Sequence, residues 1–314
     1  EDTFWRAKIK AVQFKDDKIG TVQEIYLKNA IKLFEDFRSD KVKLDEVFDV
    51  KQLATLMAVK AIFGTIEFDW RDIKFYYNPI TSLLEPIGRE VHISQNFNST
   101  NAWWIDSSPS GFLHSLDQKD FVNLLYNNQS FYKLYLSELY RLSEDNYLKK
   151  IIEINKKEFD DYKRLLEINF PTEKIFSEQH LDETRKIIRK TLNPIQGINA
   201  YFVDYKEDHI LLSIQNAQRL PIELKGIKFI DGKELLLKNS IVINGKKHNK
   251  PMESFLLKLP CSNNLNSNDI NFIKLLPIKN CQIYLTDDNR KFISESNKVI
   301  FRVLGQNTIK EASI

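Results

Sequence analysis

A chain of 314 residues with 46 basic and 43 acidic side chains, 42% hydrophobic and 28% charged, has the balance of a globular protein and lacks the basic excess that a nucleic-acid surface requires. No run reaches the roughly 18 uninterrupted apolar residues of a membrane span, and at about 150 residues per domain the length suggests about two domains. The only cysteines, Cys261 and Cys281, lie in no CxxC pair and near no His cluster, which argues against structural zinc and leaves free thiols or a disulfide open. With no initiator Met and no charged-then-apolar leader ahead of Phe4 and Trp5, the sequence reads as a fragment or a processed product.

In chain order, Val22, Ile25, Tyr26, Ala30, Leu33, Phe34 and Phe37 recur at helical spacing, which predicts a surface helix packed along one side. A second helix is predicted from Asp49, whose side chain can cap the amide near Gln52, to Phe63, with Gly64 as its stop. Its residues are apolar nearly all round, the mark of a central buried helix. Phe75 to Tyr77 is β-prone, Asn78 and Pro79 signal a turn, and Leu83 to Ile87 returns as a second short strand before Gly88. A long loop rich in Ser, Asn and Pro is predicted from Ser94 to Ser110. Helical periodicity returns at 117–127, 130–142, 146 to about 168 and 177–190, with Pro171 dividing the last two.

Asn193 and Pro194 close the helical part. Short β-prone runs then follow at 201–205, 209–214, 222–229, 240–243, 255–259, 281–285 and 299–303, punctuated by Asp231 with Gly232, Asn244 with Gly245, and Asp287 with Asp288. The predicted class is therefore α+β: a mainly helical part with a short β-hairpin at about 64–90, spanning 1–197, and an all-β, sandwich-like accessory domain spanning 198–314. No internal repeat is evident in the sequence.

The hairpin region carries the chemistry worth weighing. Asp72 and Glu90 stand at the two mouths of the predicted strand pair, where two carboxylates brought together could hold a divalent cation. Around them, Phe48, Asp49 and Val50 open the buried helix, Ala54 and Ala58 lie within it, and Phe63 and Gly64 close it. The run from Trp70 to Pro79 and the run from Leu84 to Gly88 follow. In the order of these residues, and in Ile188 to Pro194 and Gln215 to Pro221, the chain resembles the spore-coat CotH kinase-like family, an atypical branch of the protein-kinase-like fold, and most closely its larger surface-associated bacterial members.

That resemblance implies a kinase-like C-lobe with the catalytic loop in the hairpin region, and transfer of the ATP γ-phosphate to a protein hydroxyl outside the cytoplasm. ATP with Mg2+ or Mn2+ is the implied cofactor set, Glu67 the implied general base, and Asp72 and Glu90 the implied metal and cofactor ligands. The family carries Asp or His at the place of Glu67, Asn or Ser at that of Asp72, and Asp at that of Glu90. A misplacement of about 1 Å can cost about a hundredfold in rate, so three departures in one site point toward a substituted and even inactive enzyme, a pseudokinase. Nothing upstream of the buried helix reads as a glycine-rich strand-turn-strand followed by a lysine-bearing strand, so the nucleotide-covering lobe is missing from this sequence. The competing reading is a non-catalytic cell-surface or spore-coat module whose β-domain binds a partner.

Other candidates have plainer explanations. Asp69 could share a metal with Asp72 or simply be a solvated acid. His92 and His114 could form a base or ligand pair, but no HExxH or nearby Cys supports one. Trp103 and Trp104, with Phe97 and Phe112, could form an aromatic platform for a sugar or protein ligand, or pack the loop down. Arg185, Lys186, Arg189 and Lys190 form a basic helix end that complements the helix dipole, with phosphate binding as the lesser reading.

Overall fold

The computed structural model describes residues 9, 21–65, 74–88, 91, 121–171, 178–193, 197–206, 209–228, 234–246, 251–260, 271–274 and 298–313. Within them the chain is α+β, and it divides into two compact units, Glu1–Arg189 and Lys190–Ile314.

The helices described in the first unit begin with α1 (Thr21–Arg38) and a single turn, α2 (Leu44–Val47), followed by α3 (Val50–Ile62). Asp49 starts α3 as predicted, its carboxylate accepting from the Gln52 amide at 2.9 Å. Gly64 ends it at φ 68°, and paired bonds from Gly64 N to Ala61 O and from Thr65 N to Lys60 O satisfy the last carbonyls. Between these caps Leu53, Ala54, Met57, Ala58, Ala61 and Ile62 are buried, so α3 is a central helix. It packs along α5 (Gln129–Leu142), which follows α4 (Phe121–Asn127) and buries Phe131, Tyr135, Leu136 and Leu139 against it. The expectation for α1 holds from Tyr26, whose ring lies 6.0 Å from that of Tyr77, but not for its first turn. Val22 and Ile25 are 56% and 55% exposed, because the packing partners gather around Phe34 and Phe37.

The single helix predicted from 146 to about 168 is two, α6 (Tyr147–Ile154) and α7 (Lys156–Asn169), meeting at Asn155. Asn155 donates its side-chain amide to the Ile151 carbonyl at 2.8 Å, a side-chain bond into the backbone ladder that distorts the helix at that point. The last helix, α8 (Glu178–Leu192), carries the basic cluster singled out in the sequence. Arg185 is buried there, bonded to the Ser143 carbonyl at 3.1 Å and paired with Asp145 and Asp182. Arg189 lies over the Tyr140 ring at 3.8 Å and donates to the Tyr140 carbonyl at 2.7 Å. Both arginines are structural fasteners of this unit.

The described residues of the second unit form two four-stranded antiparallel sheets. One contains β3 (Ile198–Lys206), β4 (His209–Asn216), β7 (Ser254–Pro260) and β8 (Asn271–Lys274) in the order β3-β4-β7-β8. The other contains β5 (Ile222–Lys228), β6 (Glu234–Ile243), β9 (Lys298–Val303) and β10 (Lys310–Ser313) in the order β10-β9-β5-β6. Alternate residues of both sheets, among them Leu212, Ile214 and Leu257 from the first and Ile222, Leu224, Val299 and Phe301 from the second, share one buried core, as a sandwich requires. Strand β6 starts six residues before the predicted Ser240, and β8 and β10 were not predicted; the run 281–285 and both cysteines lie outside the described residues.

A buried glutamate is ion-paired in the second sheet. Glu223 stands opposite Arg302 in register, 2.5 Å from its guanidinium, with the Lys225 ammonium at 3.1 Å. Burial alone would raise the Glu223 pKa, but the bonds from Arg302 and Lys225 outweigh it and hold the carboxyl below the ordinary glutamate value. A depressed folded-state pKa adds stability above the unfolded pKa, and that stability is lost as pH falls through the folded one. The unit's melting temperature is therefore expected to fall as pH drops below about 4.3, and Glu223→Gln to flatten that slope. An unchanged acid slope in the variant would show that Glu223 does not carry it.

Candidate functional site

Two strands follow α3 in the first unit, β1 (Lys74–Asn78) and β2 (Leu83–Ile87), and they form the antiparallel hairpin that the sequence predicts. Its turn is built by local chemistry. The Asn78 side-chain oxygen accepts from the Ile80 amide at 2.9 Å, Ser82 N donates to Asn78 O at 2.8 Å, and Ser82 takes the left-handed conformation at φ 58°. Across the strands the Asn78 amide also donates to the Glu85 carboxylate at 2.6 Å. The register runs from Asn78 opposite Leu83 at the turn to Lys74 opposite Ile87 at the open end.

Phe48 positions this hairpin on the helices. It forms a parallel bridge with Leu84, and the next amide, Asp49 N, donates to the Leu84 carbonyl at 3.0 Å, so β2 is tied to the start of α3. The Phe48 ring is 1% exposed and lies 5.1 to 5.8 Å, centre to centre, from Phe75 of β1, Phe34 and Phe37 of α1, and Phe121 of α4. Edge and tilted contacts of this kind add to the stabilisation from apolar burial.

The residues expected to carry the chemistry, Glu67, Asp72 and Glu90, lie outside the described residues, as do Asp69, His92, Phe97, Trp103, Trp104, Phe112 and His114. Among the described residues no group of three or more His, Cys, Asp or Glu side chains is placed to hold a metal ion. Two described acids at the hairpin already have partners: Asp49 caps α3 and Glu85 accepts from the Asn78 amide. Deeper in the unit Tyr126, Tyr132 and Tyr135 gather, and burial, followed by the neighbouring Tyr126, raises the Tyr135 phenol well above its ordinary value. It stays protonated and serves as packing.

No helix among the described residues is long and apolar enough to cross a membrane. The sequence reading passed over one surface feature, the apolar side chains Ile151, Ile154, Tyr162, Leu165 and Ile168 that α6 and α7 leave exposed. The chain matches no family model, no curated protein and no solved structure.

Proposed function

We propose that the first unit is the C-lobe of a CotH-like atypical protein kinase with a substituted site, of a family whose reaction is ATP- and Mg2+- or Mn2+-dependent phosphoryl transfer to protein hydroxyls outside the cytoplasm, and that the substitutions at Glu67, Asp72 and Glu90 weaken or abolish that catalysis in this chain. The observation that carries this reading is the pairing of a doubly capped, buried α3 with a hairpin tethered to its first turn through Phe48 and Leu84. The strands of that hairpin stay in register to Lys74 and Ile87, two residues after Asp72 and three before Glu90. In this proposal the carboxylates of Asp72 and Glu90 would hold the cation, and the chemistry it would supply there is neutralisation of phosphoryl charge. Glu67 accepts the proton of the acceptor hydroxyl as that oxygen bonds to the γ-phosphorus and the β–γ bridging oxygen leaves with ADP.

Calorimetric titration of ATP with Mg2+ or Mn2+ tests the site. Metal-dependent binding is expected in the parent chain and a loss of at least about tenfold in Glu90→Ala. Glu67→Gln is expected to keep that binding while phosphoryl transfer to a generic protein acceptor falls by about a hundredfold or more. Absence of binding at about millimolar ATP would sink the catalytic reading.

A second reading, a non-catalytic cell-surface or spore-coat module, is favoured by the broad apolar face that α6 and α7 leave exposed. It keeps the hairpin as scaffold and assigns function to binding surfaces, the β-domain included.

A further inference from the structure

The sequence holds one Asn-Gly pair, Asn244 with Gly245, directly after the last residue of β6. Some of its groups are held and others are left free. The Asn244 main-chain carbonyl accepts from the buried Asn216 amide at 3.1 Å, and Lys246 N donates to the Gln218 carbonyl at 2.7 Å, so the chain is pinned on both sides of the pair. Between those pins the Gly245 amide takes part in none of the described hydrogen bonds, and neither does the exposed Asn244 side chain. Glycine brings no Cβ to shield its own nitrogen.

That combination lets an asparagine close on its own backbone. The Gly245 nitrogen, its proton given up to hydroxide, bonds to Cγ of Asn244, and the Nδ2 group leaves as ammonia after taking a proton from water. The product is a five-membered succinimide, favoured because nucleophile and carbonyl belong to neighbouring residues of one chain. Water then opens the ring. Cleavage at Cγ gives aspartate and leaves the backbone as it was. Cleavage at the main-chain carbonyl gives isoaspartate: the chain then runs through Cβ and Cγ, one methylene longer, and the former carbonyl carbon carries a free carboxylate. Either route consumes one water and releases one ammonia, with no change of oxidation state.

We propose that Asn244 is a site of spontaneous deamidation, and that its isoaspartate form loosens the tie between the end of β4 and the end of β6. The Gly245 α-carbon lies close against backbone, since a Cβ placed on it would come 1.7 Å from the Arg219 carbonyl oxygen. An added methylene just ahead of it has to shift Gly245 against that backbone or draw Asn244 away from Asn216. The carbonyl that accepted from Asn216 also becomes a carboxylate off the main chain, so Asn216 loses the fixed place of one of the three carbonyls it holds. The second unit thus changes with time and pH at the contact that joins its two sheets.

The test ages the full chain at mildly alkaline pH and reads it by peptide mapping with enzymatic methylation of isoaspartate. Acid and isoaspartate are expected at Asn244 severalfold faster than at Asn239, which is also exposed in β6 but is followed by Ser240, and faster still as pH rises. The second unit of the aged chain is expected to melt lower, while Asn244→Gln, whose side chain has to close a larger ring, ages without that loss. Freshly prepared Asn244→Asp, which has the charge but the normal backbone, is expected to melt as the parent does. No isoaspartate at position 244 of the folded chain, formation there no faster than at Asn239, an aged chain that melts like the fresh one, an aged Asn244→Gln that loses as much as the parent, or a fresh Asn244→Asp that melts as low as the aged chain would each overturn the proposal.

Discussion

Phe48→Ala is expected to lower the stability of the first unit by about 3–5 kcal/mol, the range for removing a fully buried aromatic ring. Phe48 is 1% exposed, and its ring touches Phe34, Phe37, Phe75 and Phe121, so the cavity opens where α1, α4 and β1 meet. Collapse around it is hindered because the backbone beside Phe48 is itself held, by the bridge to Leu84 and the bond from Asp49 N to Leu84 O. The hairpin should loosen with the core. Its tip residue Ile80 is 92% exposed, so limited proteolysis there should quicken in the variant while the second unit melts as before. Phe48→Leu, which keeps most of the volume, should recover more than half of the loss. A cost below about 1 kcal/mol for Phe48→Ala would mean that the rings do not hold the hairpin.

The second unit has its own weak point at Asn216. This side chain is 3% exposed and sits at the end of β4, where its amide donates to the carbonyls of Leu220 at 2.8 Å, Asn244 at 3.1 Å and Ile243 at 3.2 Å. Its oxygen accepts from the Gln218 amide at 3.1 Å. One residue thus joins the last turn of one sheet to the end of β6 in the other. Asn216→Leu keeps the size but leaves an amide and three carbonyls short of partners, and should cost about 2–4 kcal/mol. Asn216→Asp should cost more at neutral pH, because a carboxylate would then face three carbonyl oxygens. The same contact can be attacked from the other side: a Cβ on Gly245 would lie 1.7 Å from the Arg219 carbonyl oxygen, so Gly245→Ala must displace backbone. Thermal melts that place Asn216→Leu within about 0.5 kcal/mol of the parent would refute the role given to this residue.

Much of the first unit was legible because its signals are local. The limits of α3 follow from Asp49 and Gly64, each acting within four residues of itself, and the hairpin follows from β-prone runs on either side of an Asn-Pro turn. The break between α6 and α7 was not legible, since Asn155 in a helical pattern gives no sign of whether its amide will turn to solvent or into the ladder. Nor was the burial of Arg185, which depends on Asp145 and the Ser143 carbonyl about 40 residues away. The acids at the mouths of the hairpin were read from spacing and resemblance, and their chemistry rests on the titration proposed above.

The sequence by itself determined where most helices and strands begin and end and which of their faces are apolar, because caps, turns and periodicity are set by neighbours along the chain. The tertiary structure alone decided which strands pair. Strand β5 lies between β6 and β9, so Glu223 meets Arg302 although 79 positions of chain, with three other strands in them, separate the two, and β8 and β10 are strands only because an edge was there to receive them. A strand's period of two says which face is buried but names no partner. Pairing is chosen by the core that both sheets close over together, a property no short window of sequence contains.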